Sequence, residues 1–143
     1  MSELLYGHDK LVTKWVIDRV DSLHRLECCV AIGVSSGSKL IAGVVYHDYQ
    51  PEARIIQMSM AAISPMWAKK EIIWKLLQYP YDQLDCFKIL LSISVDNIKA
   101  LKTMKHIGFV QEAILNHNYG KDKHAVILGM LKPDYQRKFL NYG

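Results

Sequence analysis

In Tyr46-His47-Asp48 the sequence sets an imidazole beside a carboxylate at the end of an apolar run. Histidine is the side chain whose ordinary pKa suits a general base near neutral pH, and Asp48 is placed to orient it or to bind a cationic amine. The same residues also make an ordinary polar strand end with a surface histidine. Gln57 and Ser59 alternate along the next apolar run, as Ser92 and Ser94 do along a later one. Each pair either lines a ligand gap or bonds to neighbouring backbone. Tyr79 and Tyr81 are alternative proton donors, although Pro80 between them favours packing. His117 and His124 flank a polar turn.

A second kind of chemistry is written in Arg54–Leu77, RIIQMSMAAISPMWAKKEIIWKLL. An apolar strand runs through Ser64-Pro65 directly into an amphipathic helix. The first backbone N–H groups of that helix have no partner within it, and with the helix dipole behind them they form an anion site. Lys69 and Lys70 gain nothing from the positive end of a dipole, so a bound anion is one reason for their position. Two solvated lysines on a core helix is the plainer account.

The elements that must hold these groups follow from periodicity and turn chemistry. Leu4 to His8 is a short lead-in. Asp9 is placed to cap a helix from Lys10 to Val20, with Leu11, Val12, Trp15, Val16 and Val20 on one stripe. Leu23 and Leu26 lead to a strand from Cys28 to Val34, which forms an antiparallel hairpin with Leu40–Tyr46 across Ser35-Ser36-Gly37-Ser38. Arg54–Ile63 is the third strand. The helix after Pro65 stops at Tyr79-Pro80, and Trp67 and Trp74 are placed on one of its faces as packing residues. Lys88–Val95 is nearly all apolar, so it is expected to be covered on both faces beside a parallel neighbour. Arg54 to Val95 is then a βαβ crossover. Asp96 and Asn97 cap a helix from Ile98 to His106 closed by Gly108. Phe109–Asn116 and Ala125–Leu131 are two closing strands. The whole is an α+β chain with a mixed, largely antiparallel sheet.

The 143 residues are half hydrophobic and 22% charged, which fits one packed domain over residues 1–143 ending in a polar and aromatic tail, 134–143. No apolar run reaches the ~18 residues of a membrane span. The start MSELLYGHDK lacks a basic-then-apolar export pattern. Cys28, Cys29 and Cys86 make no disulfide framework, and with the absence of Cys/His zinc spacing they point to no metal and a reducing, cytoplasmic setting. The net charge of +4 is scattered, which suits an anionic small ligand and argues against nucleic acid. Tyr135, Phe139 and Tyr142 can pack on the domain itself or on a second copy as a homodimer.

Asn97-Ile98-Lys99-Ala100 followed by Ile107-Gly108-Phe109 is similar to the N-x-x-A … G-F signature of the GNAT superfamily of N-acetyltransferases. The chain resembles that superfamily from Asp9 to Leu131. GHD, WV, VVYHDY, SMAAISPMWAKK and LLQYPYDQL look like a subgroup found in phages and prophages. The resemblance implies a GNAT-like fold in which the strand Gln57–Ile63 splays from Ile89–Val95. It implies acetyl-CoA as co-substrate and direct attack by a small-molecule or peptide amine in a ternary complex, with no membrane partner. Backbone groups of Met60, Ala61 and Ile63 would hold pantetheine. The turn Met66, Trp67, Ala68, Lys69 and Lys70 would hold pyrophosphate, and Asn97 would reach the thiol arm. His47 and Asp48 would be the catalytic pair, and a backbone N–H in the gap would hold the oxyanion. Two departures stand out. Pro65 to Lys70 replaces the family's glycine-rich loop, and Met104 aligns with the tyrosine that often protonates the thiolate. They leave open a GNAT-shaped binding or virion-associated protein that has lost catalysis.

Overall fold

The structure, a computed structural model, describes residues 2–20 and 29–142. In chain order the elements are β1 (Ser2–Leu5), α1 (Asp9–Ile17), β2 (Val30–Ser36), β3 (Lys39–Gln50), β4 (Ile55–Ala62), α2 (Lys70–Gln78), β5 (Lys88–Ser94), α3 (Ile98–Ile107), β6 (Val110–Leu115), β7 (Ala125–Leu131) and α4 (Lys132–Lys138). The strands form one seven-stranded sheet in the order β1-β2-β3-β4-β5-β7-β6. Every neighbouring pair is antiparallel except β4 and β5, which run parallel with α2 as their connection. This is the expected α+β layout.

Strand alternation divides the apolar residues between two faces. One face carries Ile32, Val44, Met58, Leu91 and Leu128 and is covered by α2, α3 and α4 through Leu76, Leu101, Met104 and Tyr135. The other face carries Ala31 and Val45, and Val12 and Val16 of α1 close over it. Helix α1 lies almost on the backbone there: a Cβ built on Gly43 would stand 2.9 Å from Val16 Cγ2 and 3.0 Å from Val12 Cγ1. Among the described residues, α1 covers β2 and β3 and only reaches the edge of β4, and no helix packs on the β5 side of that face.

Several expectations change. The lead-in contains an edge strand, β1. Asp9 does not cap its own helix; its carboxylate accepts the Ala31 N–H at 3.0 Å and ties α1 to β2. Pro65–Trp67 is a separate 3-10 turn and α2 begins at Lys70, so Trp67 and Trp74 do not share a helix face. The chain continues past Gln78 as a π-helical turn, Tyr79–Gln83, because Pro80 sits at its start, where no N–H is required. Strand β5 has its parallel neighbour, but only the Ile89 and Leu91 side is buried and Ser92 is exposed. Cys28, Leu23 and Leu26 lie outside the described residues. The tail forms α4 and packs on this chain: Tyr135 and Phe139 are buried, the Tyr81 and Tyr135 rings stack at 4.7 Å, and Tyr142 meets Trp74 at 5.5 Å. No helix among the described residues is long and apolar enough to cross a membrane.

Candidate active site

Strands β4 and β5 are in register from Ile55↔Lys88 to Met58↔Leu91 and then part. Beyond that point each arm keeps its outer partner. Ser59 to Ala62 stay on β3, and Ser92 to Ser94 stay on β7. The arms therefore diverge without losing order, and a gap opens in the middle of the sheet.

The register shows which backbone groups face the gap. The Ile63 N–H donates to the Ile41 carbonyl at 2.9 Å. In an antiparallel pair the hydrogen-bonding direction alternates residue by residue, so Ala61 and Ile63 turn their main chain to β3. Met60 and Ala62 turn theirs toward the gap. On the other arm, the Val95 N–H donates to the His124 carbonyl at 3.1 Å, so the same alternation turns Ser92 and Ser94 main chain toward β4. Both walls of the gap thus carry main-chain groups with no partner strand among the described residues, although the Ser94 carbonyl accepts the Asn97 N–H at 3.0 Å.

His47 and Ser59 stand on the α1 face of the β3–β4 arm. Ser59 pairs with Val45, and Gln57 lies directly opposite His47. Asp48 has a left-handed backbone (φ 53°) within a register shift, and this turns its carboxylate back onto the preceding ring. His47 Nδ1 is 2.5 Å from Asp48 Oδ2, and His47 Nε2 is 2.8 Å from Ser59 Oγ. A carboxylate only accepts, so in the neutral ring Nδ1 carries the proton and Nε2 accepts from the Ser59 hydroxyl. The imidazole is 10% exposed while its carboxylate partner is 60% exposed, a ring held in place with its charge partner in solvent.

The opposite arm presents a phenol. Register places Ser92 on the same sheet face as Ser59, and its Oγ hydrogen-bonds the Tyr119 hydroxyl from the β6–β7 turn. A base with its serine thus stands on one arm and a tyrosine with its serine on the other. Ser94 plays a local part, its Oγ accepting the Asp96 N–H at 3.3 Å.

The start of α2 lies on the other face, beyond the open end of β4. Ser64 Oγ accepts the Met66 N–H at 3.2 Å, and the Pro65 carbonyl accepts that of Ala68 at 3.1 Å. No side chain caps α2, whose first main-chain acceptor, the Lys69 carbonyl, takes the Ile73 N–H at 2.9 Å. The donors left over are therefore those of Lys70, Glu71 and Ile72. Lys70 Nζ lies 5.4 Å from the Tyr142 ring centroid. Lys138 is close enough that burial, and then the Lys70 charge, holds its pKa below the ordinary lysine value. Lys138 Nζ itself donates to the His106 carbonyl at 2.9 Å, at the end of α3.

The other candidates fall into place around this frame. Asn97 Oδ1 accepts the Ala100 N–H at 3.2 Å, so that oxygen caps α3. Met104 is buried among the core residues of the helix-covered face. Tyr81 donates to the Met130 carbonyl at 2.7 Å and burial raises its pKa, which makes it a packing residue. Burial also raises that of Tyr79, whose ring meets Tyr46 edge-on at 4.9 Å. Sequence reasoning does not single out Ser59, Tyr119, Ala62 or Lys138 in the roles that the geometry gives them. For Tyr119 a signal exists, since it is the one aromatic residue in the polar turn Asn116–His124.

No family model matches the chain, and no curated protein does so either. Among solved structures, mutant forms of the spermidine/spermine N-acetyltransferase SpeG from Vibrio cholerae superpose with a TM-score of 0.78 at 15% identity, over 96% of this chain and 99% of that one. Another mutant of the same spermidine N-acetyltransferase gives 0.79 at 16% identity, over 96% and 97%. Its dodecameric form in an intermediate state gives 0.74 at 17%, again over 96% and 97%. The chain has the fold of these GNAT acetyltransferases.

Proposed function

We propose that this protein transfers an acetyl group from acetyl-CoA to an amine by direct attack in a ternary complex. The observation that carries the reading is the parting of β4 from β5 after Met58↔Leu91, which leaves ordered main-chain donors and acceptors facing a slot. Pantetheine is a chain of amides, and the Met60 and Ala62 main chain matches it in kind. The diphosphate would sit on the uncapped start of α2, with Lys69 and Lys70 adding charge-assisted contacts. Thr, Ser and Gly are absent from that start, so the amides of Lys70, Glu71 and Ile72 and the lysines take the place of a glycine loop.

Acetyl-CoA, when bound, supplies an acetyl thioester. The protein's own part is proton handling and orientation. His47 Nε2 draws a proton from the acceptor amine through the Ser59 hydroxyl, and Asp48 holds the ring and the charge it gains. A Met60 or Ala62 N–H steadies negative charge on the reacting carbonyl oxygen. Tyr119, on the opposite arm, is placed to donate a proton into the gap in the role for which Met104 has no hydrogen. The acceptor is a small-molecule or peptide amine entering from the open α1-side face. The neighbours that act on spermidine make a polyamine the first acceptor to try.

A second reading has two observations in its favour. Met104 is buried in the core, and the α2 start lacks glycine, as in a GNAT-shaped binding or virion-associated protein that no longer catalyses. Calorimetry and thermal shift with CoA and acetyl-CoA separate the two. Clear stabilisation by both ligands is expected from a working slot, because a ligand that binds only the native state raises its stability. No response at millimolar CoA overturns the transferase reading.

A further inference from the structure

The turn between β6 and β7, residues 116–124, gathers two imidazoles and a carboxylate, the one such group of three metal-ligating side chains among the described residues. His117 (φ 57°) and Asp122 (φ 61°) both have left-handed backbone, which folds the turn back on itself. As a result His117 and His124 meet with ring centroids 4.7 Å apart, and Asp122 Oδ1 lies 3.9 Å from His117 Nδ1. One ligand atom from each of the three residues falls within 4.8 Å of the others. Ligands of a tetrahedral ion with bonds near 2.1 Å stand about 3.4 Å apart, so only a small closing movement separates this set from a coordination site. Both His117 and Asp122 side chains are more than half exposed, so rotamer changes alone supply that movement.

We propose that the tip of the β6–β7 hairpin binds one divalent transition ion of the zinc, cobalt or nickel kind through His117, His124 and Asp122. Two imidazoles and one carboxylate suit such borderline ions and not magnesium or calcium, which demand more oxygen. Three protein ligands on an exposed turn leave the fourth position to water.

The turn must change when the ion binds. At present His124 Nδ1 accepts the His117 N–H at 2.9 Å, and His117 Nδ1 accepts the Asp122 N–H at 2.8 Å. An imidazole that binds metal through Nε2 carries its proton on Nδ1, and one that binds through Nδ1 has no lone pair left there. Either mode releases both main-chain N–H groups to solvent. Tyr119 belongs to the same turn, its N–H bonded to the Lys123 carbonyl at 3.0 Å and its hydroxyl to Ser92. Metal occupancy and the placement of Tyr119 are therefore coupled, whether or not the slot below takes acetyl-CoA.

The test uses the full, tag-free chain with Zn2+ and Co2+ in calorimetry, and Co2+ also by its visible absorption. One ion per chain with the spectrum of a low-coordinate nitrogen and oxygen site is expected, with no comparable heat from Mg2+. His117→Ala/His124→Ala should abolish it, and Asp122→Asn should weaken it by roughly tenfold or more. These positions are on an exposed turn, and an unchanged circular dichroism spectrum shows the variants folded. Absence of Zn2+ and Co2+ binding overturns the proposal, as does binding that survives the double histidine variant. CoA titration of the same variants reads the acyl-transfer reading separately.

Discussion

From Ile55↔Lys88 to Met58↔Leu91, β4 and β5 are neighbours in one sheet, and a few residues later they share nothing. The closed end is clamped from three elements. Arg54 Nη2 reaches Asp85 Oδ1 at 3.2 Å, Lys132 Nζ reaches the same oxygen at 2.7 Å, and the Phe87 N–H donates to the Arg54 carbonyl at 2.7 Å. Arg54 (φ 60°) and Asp85 (φ 55°) both hold left-handed backbone to make those contacts. The open end has no such crossing contact among the described residues. Ser59 and Ser92 stand on one face of it, Met60 and Ile93 pack against the core on the other, and within the sheet each arm is bonded only to its outer neighbour. A slot in a sheet thus needs a firm hinge on one side and independent support for each wall on the other. The strand pair has both.

The largest contrast between the ends is in stability. Ile89 is fully buried and paired with Ile56 in the closed half. Ile89→Ala removes buried methylene and methyl groups and leaves a cavity, so unfolding free energy should fall by about 2–5 kcal/mol in denaturant titration. Ser92→Ala in the open half touches no core and should shift it by less than about 0.5 kcal/mol. Comparable losses at both positions would mean that the open half is held from within as well.

The chemistry is expected to show the reverse pattern. His47→Ala should lower kcat by roughly 10²- to 10⁴-fold and flatten the acid limb of its pH profile, leaving CoA affinity unchanged. Ser59→Ala should retain more activity, since water can replace a relaying hydroxyl. If His47 is only a polar strand end, turnover will survive its loss.

Proline scanning sharpens the picture at the resolution of one residue. The Met60 N–H faces the gap, so Met60→Pro removes no β3–β4 bond but takes a donor from the slot, and CoA affinity should drop about tenfold, near the value of one hydrogen bond. The Ala61 N–H faces β3 opposite Gly43, which is itself buried. Ala61→Pro leaves that buried Gly43 carbonyl unpaired, at about 1–3 kcal/mol of stability by thermal or chemical unfolding. Equal effects at the two sites would show that the alternation is assigned to the wrong residues.

Much of this frame is legible in the sequence, because it rests on periodicity and local turn chemistry. Apolar runs bounded by polar turns mark β3, β4, β5 and β7. Asn97 and Gly108 bracket α3 through contacts within a few residues. What cannot be read are pairings between distant residues. Asp9 looks like a cap until Ala31, 22 positions later, is seen to donate to it. Tyr119 gains meaning only from Ser92, 27 positions earlier. The direction of each β4 amide depends on register with β3, and composition carries no trace of register. That is why motif matching points to Met60, Ala61 and Ile63, where register turns Met60 and Ala62 to the gap and Ala61 and Ile63 to β3. The helix start reads as Pro65 because a 3-10 turn and an α-helix share their opening residue preferences.

The smallest expected effect lies in the clamp. The Lys132 hydrogen bond, with the Arg54 charge behind it, holds the Asp85 carboxyl below the ordinary carboxylate range. A carboxylate with a lowered folded-state pKa contributes stability that is fully present above its unfolded pKa and is lost as pH falls through the folded one. The window therefore lies below about pH 4. Asp85→Asn should leave stability near neutral pH only slightly reduced, because solvent screens so exposed a group. Its distinctive mark is a shallower fall of melting temperature with acid than the wild-type chain shows. The clamp also acts on the slot: loosening the hinge lets the two walls shift together, so a small loss of CoA affinity should accompany the flatter acid limb. A variant that keeps the wild-type slope below pH 4 would show that the closed end is held by the Phe87–Arg54 main-chain bond and its buried neighbours, with the ion pair adding nothing to the hinge.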